Sequence, residues 1–180
     1  VELTNGLLTL AQSGIEKQRF QFAPVRVDEI LFAAQNELVK SHPDYHFLIE
    51  YETFPDDESL LTIAGNEHLL KTAFLNLMDN ACKFSEDHTV RIRFTTNGHS
   101  IDVSFGDDGP GIHLEEQEMI FNPFYRGNSI RASTKGYGIG LSLCRRIVQL
   151  HNGNISVQSA PGKGSRFEAS FPLHRQADTF

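Results

Sequence analysis

Three polar side chains fall on one side of a stretch of the sequence that has helical periodicity. Asn76, Asn80 and Lys83 stand at positions i, i+4 and i+7, so a helix places them in one stripe. A solvent-facing helix surface is an equal explanation, but asparagine is a poor helix former and two of them stacked near a lysine need a reason. An amide oxygen can enter the octahedral shell of Mg²⁺, and a lysine can neutralise phosphate. The stripe therefore indicates a metal ligand and a phosphate contact.

A glycine-rich turn follows a later stretch of alternating apolar residues. In it, Asp107 and Asp108 precede Gly109, Pro110 and Gly111, a combination that an ordinary loop also uses. A carboxylate beside a glycine-lined wall can accept a hydrogen bond from the exocyclic amino group of adenine, whereas guanine presents an acceptor there. We select Asp107, at the strand end, over Asp108 as the adenine anchor.

A second set of glycines opens an amphipathic segment further along the chain. Gly136, Gly138 and Gly140 could serve close packing, and they lack the preceding strand that a dinucleotide fingerprint requires. Helix N-terminal amides and their dipole are suited to holding phosphate oxygens. The chain contains no Gly-x-x-x-x-Gly-Lys-Ser/Thr motif, which excludes a Walker-type site. The stripe, the turn and this segment, in that order, predict an ATP site.

The residues between the two glycine segments are typical of an anchored, mobile lid. Phe121 and Phe124 are as consistent with simple core residues as with a docking patch for a partner helix. Arg126, Arg131 and Lys135 are candidates for contacting the γ-phosphate when the lid closes, and the sequence does not choose among them.

The elements that must position these residues follow from hydrophobic periodicity and from cap and turn signals. Helices are predicted from an Asp28 cap to His42-Pro43, from Gly65-Asn66 through Phe84, and over Gly138–Leu150. Strands are predicted at 25–27, 47–52, 60–64, 90–95, 101–105, 155–157 and 167–171. Asn97-Gly98 signals a hairpin between the fourth and fifth of these strands. This order favours an α+β fold, a two-layer α/β sandwich with helices on one sheet face and solvent on the other.

Composition excludes several classes of function. With 180 residues and 39% hydrophobic content, the chain can bury one core and carry a short appendage. A net charge of -7 argues against a surface for nucleic acid or anionic lipid, so Mg²⁺ is the expected partner of a polyphosphate. Cys82 and Cys144 are too few for a disulfide framework, and we expect reduced thiols in a cytosolic setting. No apolar run approaches the roughly 18 residues of a membrane span.

In this order, the motifs resemble those of the catalytic, ATP-binding domain of bacterial sensor histidine kinases. That family belongs to the superfamily shared with gyrase, the heat-shock chaperone ATPases and the mismatch-repair MutL proteins. Asn76–Phe84 resembles its N box, Asp107–Ile112 its first glycine box, Phe121–Phe124 its F box and Gly136–Leu141 its second glycine box. The match spans about Phe22–Leu173. It implies a Bergerat-type sandwich with a mixed, mostly antiparallel sheet.

The resemblance also assigns roles to individual residues. It implies that Asn80 is the magnesium ligand, that Asn76 supports it, that Lys83 contacts phosphate and that Asp107 anchors adenine. The nucleotide-binding set that it implies further includes Phe84, Gly109, Gly111, Ile112, Phe124, Arg126, Lys135, Gly136, Tyr137, Gly138, Ile139, Gly140 and Leu141. The three catalytic positions in this reading are Asn76, Asn80 and Lys83.

Other parts of the chain also resemble the family. Leu3, Leu7 and Leu10 recur at helical spacing, and residues 1–20 resemble the end of the second helix of a dimerisation and phosphotransfer hairpin. We expect a catalytic domain at 21–173 and a flexible tail at 174–180. Two positions depart from the family pattern: Tyr137 stands where a small hydroxyl residue is common, and Asn152 replaces a frequent glycine. The resemblance implies a cytoplasmic domain, which is also the location of this domain in a membrane-anchored sensor. It further implies homodimerisation of the full-length kinase.

The residue types on the asparagine stripe favour one reaction. Relatives that hydrolyse ATP carry a glutamate one turn before the metal-binding asparagine, where this chain has Asn76. An amide cannot take a proton, and Asp79 points about 100° away from Asn80 around the helix. A histidine acceptor, with a pKa of about 6.5, needs little help from a base. Asn76 therefore favours phosphoryl transfer to a histidine over ATP hydrolysis.

The acceptor histidine is not among these residues by the family pattern. None of the eight histidines is followed by Glu or Asp. We therefore expect the chain to bind Mg·ATP without labelling itself, and to phosphorylate a separate phosphotransfer domain for relay to a response regulator aspartate. The alternatives are a regulatory nucleotide-binding module without catalysis and, with less support, an ATPase.

Overall fold

The computed structural model describes residues 20–52, 58–127 and 137–173. Its strands and helices are β1 Ala23–Arg26, α1 Val27–Ser41, β2 His46–Tyr51, β3 Thr62–Gly65, α2 Glu67–Phe84, β4 Thr89–Thr96, β5 Ser100–Asp107, α3 Leu114–Gln117, α4 Gly140–Leu150, β6 Asn154–Ser159 and β7 Ser165–Pro172. Short 3₁₀ turns lie at Glu58–Leu61 and Met119–Phe121. The helical segment expected within residues 1–20 lies outside the described residues up to residue 19, as does the tail from residue 174.

Five strands form the main sheet in the order β2-β4-β5-β7-β6. β2 pairs with β4 in parallel, and the other neighbours in this sheet pair antiparallel. The predictions of a mixed, mostly antiparallel sheet and of a hairpin at Asn97-Gly98 are therefore confirmed. β1 and β3 form a separate antiparallel pair.

Helices cover one face of the sheet. Along β5, the side chains of Ile101, Val103 and Phe105 are fully buried, while the alternate positions are partly exposed. Phe74 of α2 fills the layer between helices and sheet, with its ring centroid 5.9 Å from Phe105 and 6.3 Å from Phe171. The predicted two-layer sandwich is confirmed. Among the described residues, no helix has the length and apolar character needed to cross a membrane.

Hydrogen bonds between elements fix the start of α2. The side chain of Asn66 accepts a hydrogen bond from the N–H of Leu69 at 3.0 Å, so the predicted helix start is confirmed. The backbone N–H of Asn66 donates to Nε2 of His151 at 3.0 Å, and Nδ1 of His151 donates to the carbonyl of Ile147 at 2.7 Å. These two bonds require the neutral imidazole with its proton on Nδ1. His151 thereby connects the start of α2 to the end of α4.

Two predicted element boundaries are wrong at the first helix. β1 ends at Arg26 and α1 begins at Val27, so the strand does not include Val27. Asp28 lies within the first helical turn and does not cap it, because its carboxylate binds the guanidinium of Arg26 at 3.0 and 2.7 Å. A negative charge in the first turn still interacts favourably with the helix dipole.

The ends of α4 also depart from expectation. The helix begins at Gly140 rather than at Gly138, because Gly138 has a φ of 70° and lies outside the helical region. Asn152 follows the helix with a φ of 56°, and the N–H of Gly153 donates to the carbonyl of Val148 at 2.9 Å. Asparagine tolerates this left-handed conformation, which explains how it replaces glycine there.

Candidate nucleotide site

The two asparagines of the predicted stripe lie on α2, and both are half-buried. The amide nitrogen of Asn76 donates to the carbonyl of Thr72 at 2.8 Å. A Cβ atom added at Gly140 would come within 2.7 Å of Oδ1 of Asn76. The absence of a side chain at Gly140 therefore lets the start of α4 approach the asparagine stripe closely.

The start of α4 has the properties of an anion site. Among the described residues, no side chain caps the helix at Ile139, and no acidic residue stands in its first turn. The first amides of a helix lack intrahelical partners, and the helix dipole adds positive potential at this end. The predicted residues Ile139, Gly140 and Leu141 thus present backbone N–H groups suited to phosphate oxygens.

Asp107 is the last residue of β5 and is 8% exposed. One carboxylate oxygen accepts the N–H of Gly109 at 2.9 Å. Burial raises the pKa of Asp107 to about 6, against the opposing effect of hydrogen bonds from the N–H groups of Gly109 and Ser165. The protein thus holds a carboxyl group in a place where its charge is costly, as expected for a ligand-binding group.

The first glycine box packs against the end of α2. A Cβ at Gly109 would lie 2.5 Å from the carbonyl oxygen of Phe84, so only glycine allows this approach. Gly111 has a φ of 72°, and a Cβ there would overlap the carbonyl oxygen of Ala160. These contacts bring Asp107 to the same end of α2 that carries Phe84.

The turn between β6 and β7 supports this glycine box, and sequence reasoning missed it. The N–H of Gly162 donates to the carbonyl of Pro110 at 2.7 Å, and the N–H of Gly164 donates to that of Gly109 at 3.1 Å. The N–H of Ile112 donates to the hydroxyl of Ser159 at 2.8 Å. Gly162-Lys163-Gly164 is a further Gly-x-Gly stretch in the sequence, which could have indicated it.

The two phenylalanines of the F box differ in environment. Phe121 is 4% exposed, contacts Phe167 edge to face at 6.3 Å and has the guanidinium of Arg145 4.7 Å above its ring. It is a core residue. Phe124 is 63% exposed, and its N–H donates to the carbonyl of Gly138 at 2.8 Å. The F box is therefore joined to the second glycine box by the backbone.

The remaining predicted lid residues are only partly described. Arg131, Lys135 and Gly136 lie outside the described residues. Arg126 is half-buried and takes part in interactions, and Tyr137 is 65% exposed at the start of the next described segment. The γ-phosphate contact therefore stays a prediction without a chosen residue.

The polar end of α2 contains one ion pair that sequence reasoning did not anticipate. Nζ of Lys83 lies 2.5 Å from Oδ2 of Asp79, one helical turn away. Lys83 is thus already paired, although its side chain stays 38% exposed and within reach of solvent and ligand.

The residues present are compatible with magnesium at Asn80. Among the described residues, no group of three or more His, Cys, Asp or Glu side chains could hold a metal ion. Mg²⁺ bound with a nucleotide keeps waters and takes phosphate oxygens, so one protein oxygen is enough. The amide of Asn80 makes no hydrogen bond within the described part of the chain, so its oxygen is available for this purpose.

Comparison with known proteins agrees with this geometry. Residues 65–175 match the family model of histidine kinase-, DNA gyrase B- and HSP90-like ATPases. That is more than half of the chain, so the chain belongs to this family.

Individual relatives identify the branch of the family. The adaptive-response sensory kinase SasA of Thermosynechococcus vestitus is 40% identical over 114 residues, which are 62% of this chain and 30% of that protein. The signal transduction histidine-protein kinase ArlS of Staphylococcus haemolyticus is 31% identical over 172 residues, which are 94% of this chain and 37% of that protein. The solved catalytic domain of histidine kinase ThkA superposes with a TM-score of 0.70 at 25% identity, over 86% of this chain and 99% of that one.

The prediction of a sensor histidine kinase ATP-binding domain is therefore confirmed. The chain spans about a third of the length of the curated relatives that it matches.

Proposed function

We propose that the chain binds Mg·ATP and transfers the γ-phosphate to a histidine on a separate phosphotransfer domain, for relay to the aspartate of a response regulator. The observation that carries this proposal is the contact between Gly140 and Asn76. It puts the uncapped start of α4 beside the asparagine stripe. One turn before Asn80, the stripe carries the amide of Asn76 where a carboxylate would be needed to activate water.

The residues divide the work of binding. Asp107 accepts a hydrogen bond from the adenine amino group, the first amides of α4 hold phosphate oxygens, and Lys83 supplies positive charge. Asn80 would hold magnesium, which neutralises phosphate charge when bound. Phosphoryl transfer needs mainly positioning and charge neutralisation, and these groups supply both.

The same residues provide no general base to activate water for hydrolysis. The amide of Asn76 cannot accept a proton, and its nitrogen is committed to the carbonyl of Thr72 at 2.8 Å. The carboxylate of Asp79 is bound to Lys83 and to the hydroxyl of Tyr45. These contacts support transfer to a nucleophilic imidazole over activation of water.

Substitution of the magnesium ligand tests the proposal. Asn80→Ala is expected to abolish the Mg²⁺ dependence of ATP binding in calorimetry and to leave the far-UV circular dichroism unchanged, because the side chain makes no hydrogen bond within the described part of the chain. Asn36→Ala, at an exposed position on α1, is the matched control and should bind like the unaltered chain. An Asn80→Ala variant with unchanged Mg·ATP affinity would refute the metal assignment.

The proposed partners follow from the reaction. They are the kinase's own dimerisation and phosphotransfer hairpin, within a full-length homodimer, and a response regulator receiver domain. Transfer from ATP to the hairpin histidine and then to the receiver aspartate would distinguish a kinase from a passive nucleotide-binding module. Steady phosphate release from this chain alone would indicate an ATPase instead.

A further inference from the structure

Tyr45 reaches α2 from a distant part of the sequence. It lies between α1 and β2 and is 8% exposed. Its hydroxyl donates to Oδ1 of Asp79 at 3.1 Å, across 34 residues of sequence. The other oxygen of Asp79 holds Nζ of Lys83 at 2.5 Å. Tyr45, Asp79 and Lys83 therefore form one continuous chain of contacts.

The rings of two histidines stack with the ring of Tyr45. The ring of His42 stacks with a centroid distance of 4.5 Å and an interplanar angle of 15°, and the ring of His88 lies 5.8 Å away at 30°. The backbone N–H of Tyr45 also donates to the carbonyl of His42 at 3.2 Å. A phenol held in this way points its hydroxyl in one direction, which is towards Asp79.

The protonation of Tyr45 keeps this contact in place. Burial, followed by the charge of Asp79, raises the pKa of the Tyr45 hydroxyl well above its ordinary value, so the group stays a hydrogen-bond donor at neutral pH. Lys83 has a flexible stem and three donor hydrogens. One hydrogen on Asp79 leaves two for a phosphate oxygen.

We propose that Tyr45 and Asp79 are positioning residues that hold the Lys83 ammonium at the phosphate end of the nucleotide site. This inference rests on the proposed binding of Mg·ATP. Asp79 acts as the support to which Lys83 is tethered, and Tyr45 orients Asp79. The effect is specific to phosphate, because Asp107, at the adenine end, is not part of this chain of contacts.

The test compares ATP with adenosine, which carries the base without phosphates. Tyr45→Phe removes only the hydroxyl and is expected to weaken Mg·ATP binding about three- to tenfold, on the scale of the net contribution of one ordinary hydrogen bond, because the lost bond acts on phosphate only through Asp79 and Lys83. Adenosine affinity is expected to stay unchanged. Tyr51→Phe is the matched control, since Tyr51 is half-buried on β2 and stacks on Phe94 at 4.8 Å. It should leave both affinities unchanged.

A double-mutant cycle with Lys83→Met separates positioning from a general structural role. In the Lys83→Met background, Tyr45→Phe is expected to have no further effect on Mg·ATP affinity. A persistent effect there, or an equal loss of ATP and adenosine binding, would overturn the positioning role.

Asp79→Asn provides an independent variant in case Tyr45→Phe does not fold. It should weaken Mg·ATP binding at unchanged adenosine affinity, and tighter ATP binding would overturn the proposal by showing that Asp79 competes with phosphate. An unaltered chain that binds adenosine but shows no added affinity for Mg·ATP would instead contradict the proposed function itself.

Discussion

Replacement of Asp107 by asparagine should change stability and nucleotide binding in opposite directions. Burial raises the pKa of this carboxyl from 3.8 to about 6. The folded protein therefore binds a proton more readily than the unfolded chain between these pH values, and its stability falls as pH rises through this window. Keeping the Asp107 carboxylate charged and buried lowers the folding stability by about 3 kcal/mol, at about 1.4 kcal/mol for each unit of pKa shift. This loss is fully present above pH 6 and absent below about pH 4.

Asp107→Asn removes this cost because an amide carries no charge at either pH. The difference in unfolding free energy between the variant and the unaltered chain is measured by urea titration at pH 7.5 and at pH 4. It should favour the variant by about 1–3 kcal/mol more at pH 7.5 than at pH 4. Effects of the substitution that do not depend on pH cancel in that difference. Asp108→Asn, next in sequence and 62% exposed at its side chain, is the matched control. It should gain less stability at pH 7.5 than Asp107→Asn, because it removes no buried charge and loses an exposed ion pair with Arg91.

Nucleotide binding by the same variant should weaken. The amide must turn its NH₂ group either towards the N–H of Gly109 or towards the adenine amino group, so two donors face each other in either orientation. Loss of a hydrogen bond to a charged group predicts about a 10- to 150-fold weaker affinity for adenosine, measured by calorimetry at pH 7.5. Unchanged adenosine affinity would refute the assignment of Asp107 to adenine, and equal stability changes at pH 7.5 and pH 4 would contradict its raised pKa.

Two further predictions concern packing. Gly140→Ala should weaken Mg·ATP binding but leave the unfolding free energy nearly unchanged, because the new Cβ meets only the movable end of the Asn76 side chain, at 2.7 Å. Gly98→Ala is the control in the open hairpin turn, at a φ of 78°. It should cost about 1 kcal/mol of stability without affecting binding. The reverse pattern would contradict the placement of Gly140 at the site. His151→Ala should lower the unfolding free energy by about 2–4 kcal/mol, because it leaves a cavity and an unpaired N–H at Asn66, while His113→Ala at an exposed position should change it by less than about 0.5 kcal/mol. Equal urea midpoints for the two histidine variants would contradict the connecting role of His151.

Local sequence signals predicted the parts of the site that depend on one element at a time. The cap at Asn66 and the apolar repeat fixed α2, and α2 then fixed the asparagine stripe. The alternation in β5 placed Asp107 at a strand end, although the strand continues two residues beyond Phe105.

Contacts between distant segments could not be predicted in this way. The parallel pairing of β2 with β4 depends on where α2 crosses the sheet, and a strand's own pattern does not specify its neighbour. Asp28 was predicted as a cap because its type fits one, but the adjacent Arg26 binds its carboxylate. The hydrogen bond from Tyr45 to Asp79 joins residues 34 positions apart, and no periodic pattern in the sequence relates them.

Transfer of the γ-phosphate is the most direct test of the account. The chain is incubated with magnesium and γ-labelled ATP, with and without the phosphotransfer hairpin of the kinase, and acid-labile, base-stable label is measured on each polypeptide together with free phosphate. Label on the hairpin histidine, with none on this chain and little free phosphate, is the predicted result. Stable phosphohistidine on this chain alone, or steady phosphate release without the hairpin, would contradict it.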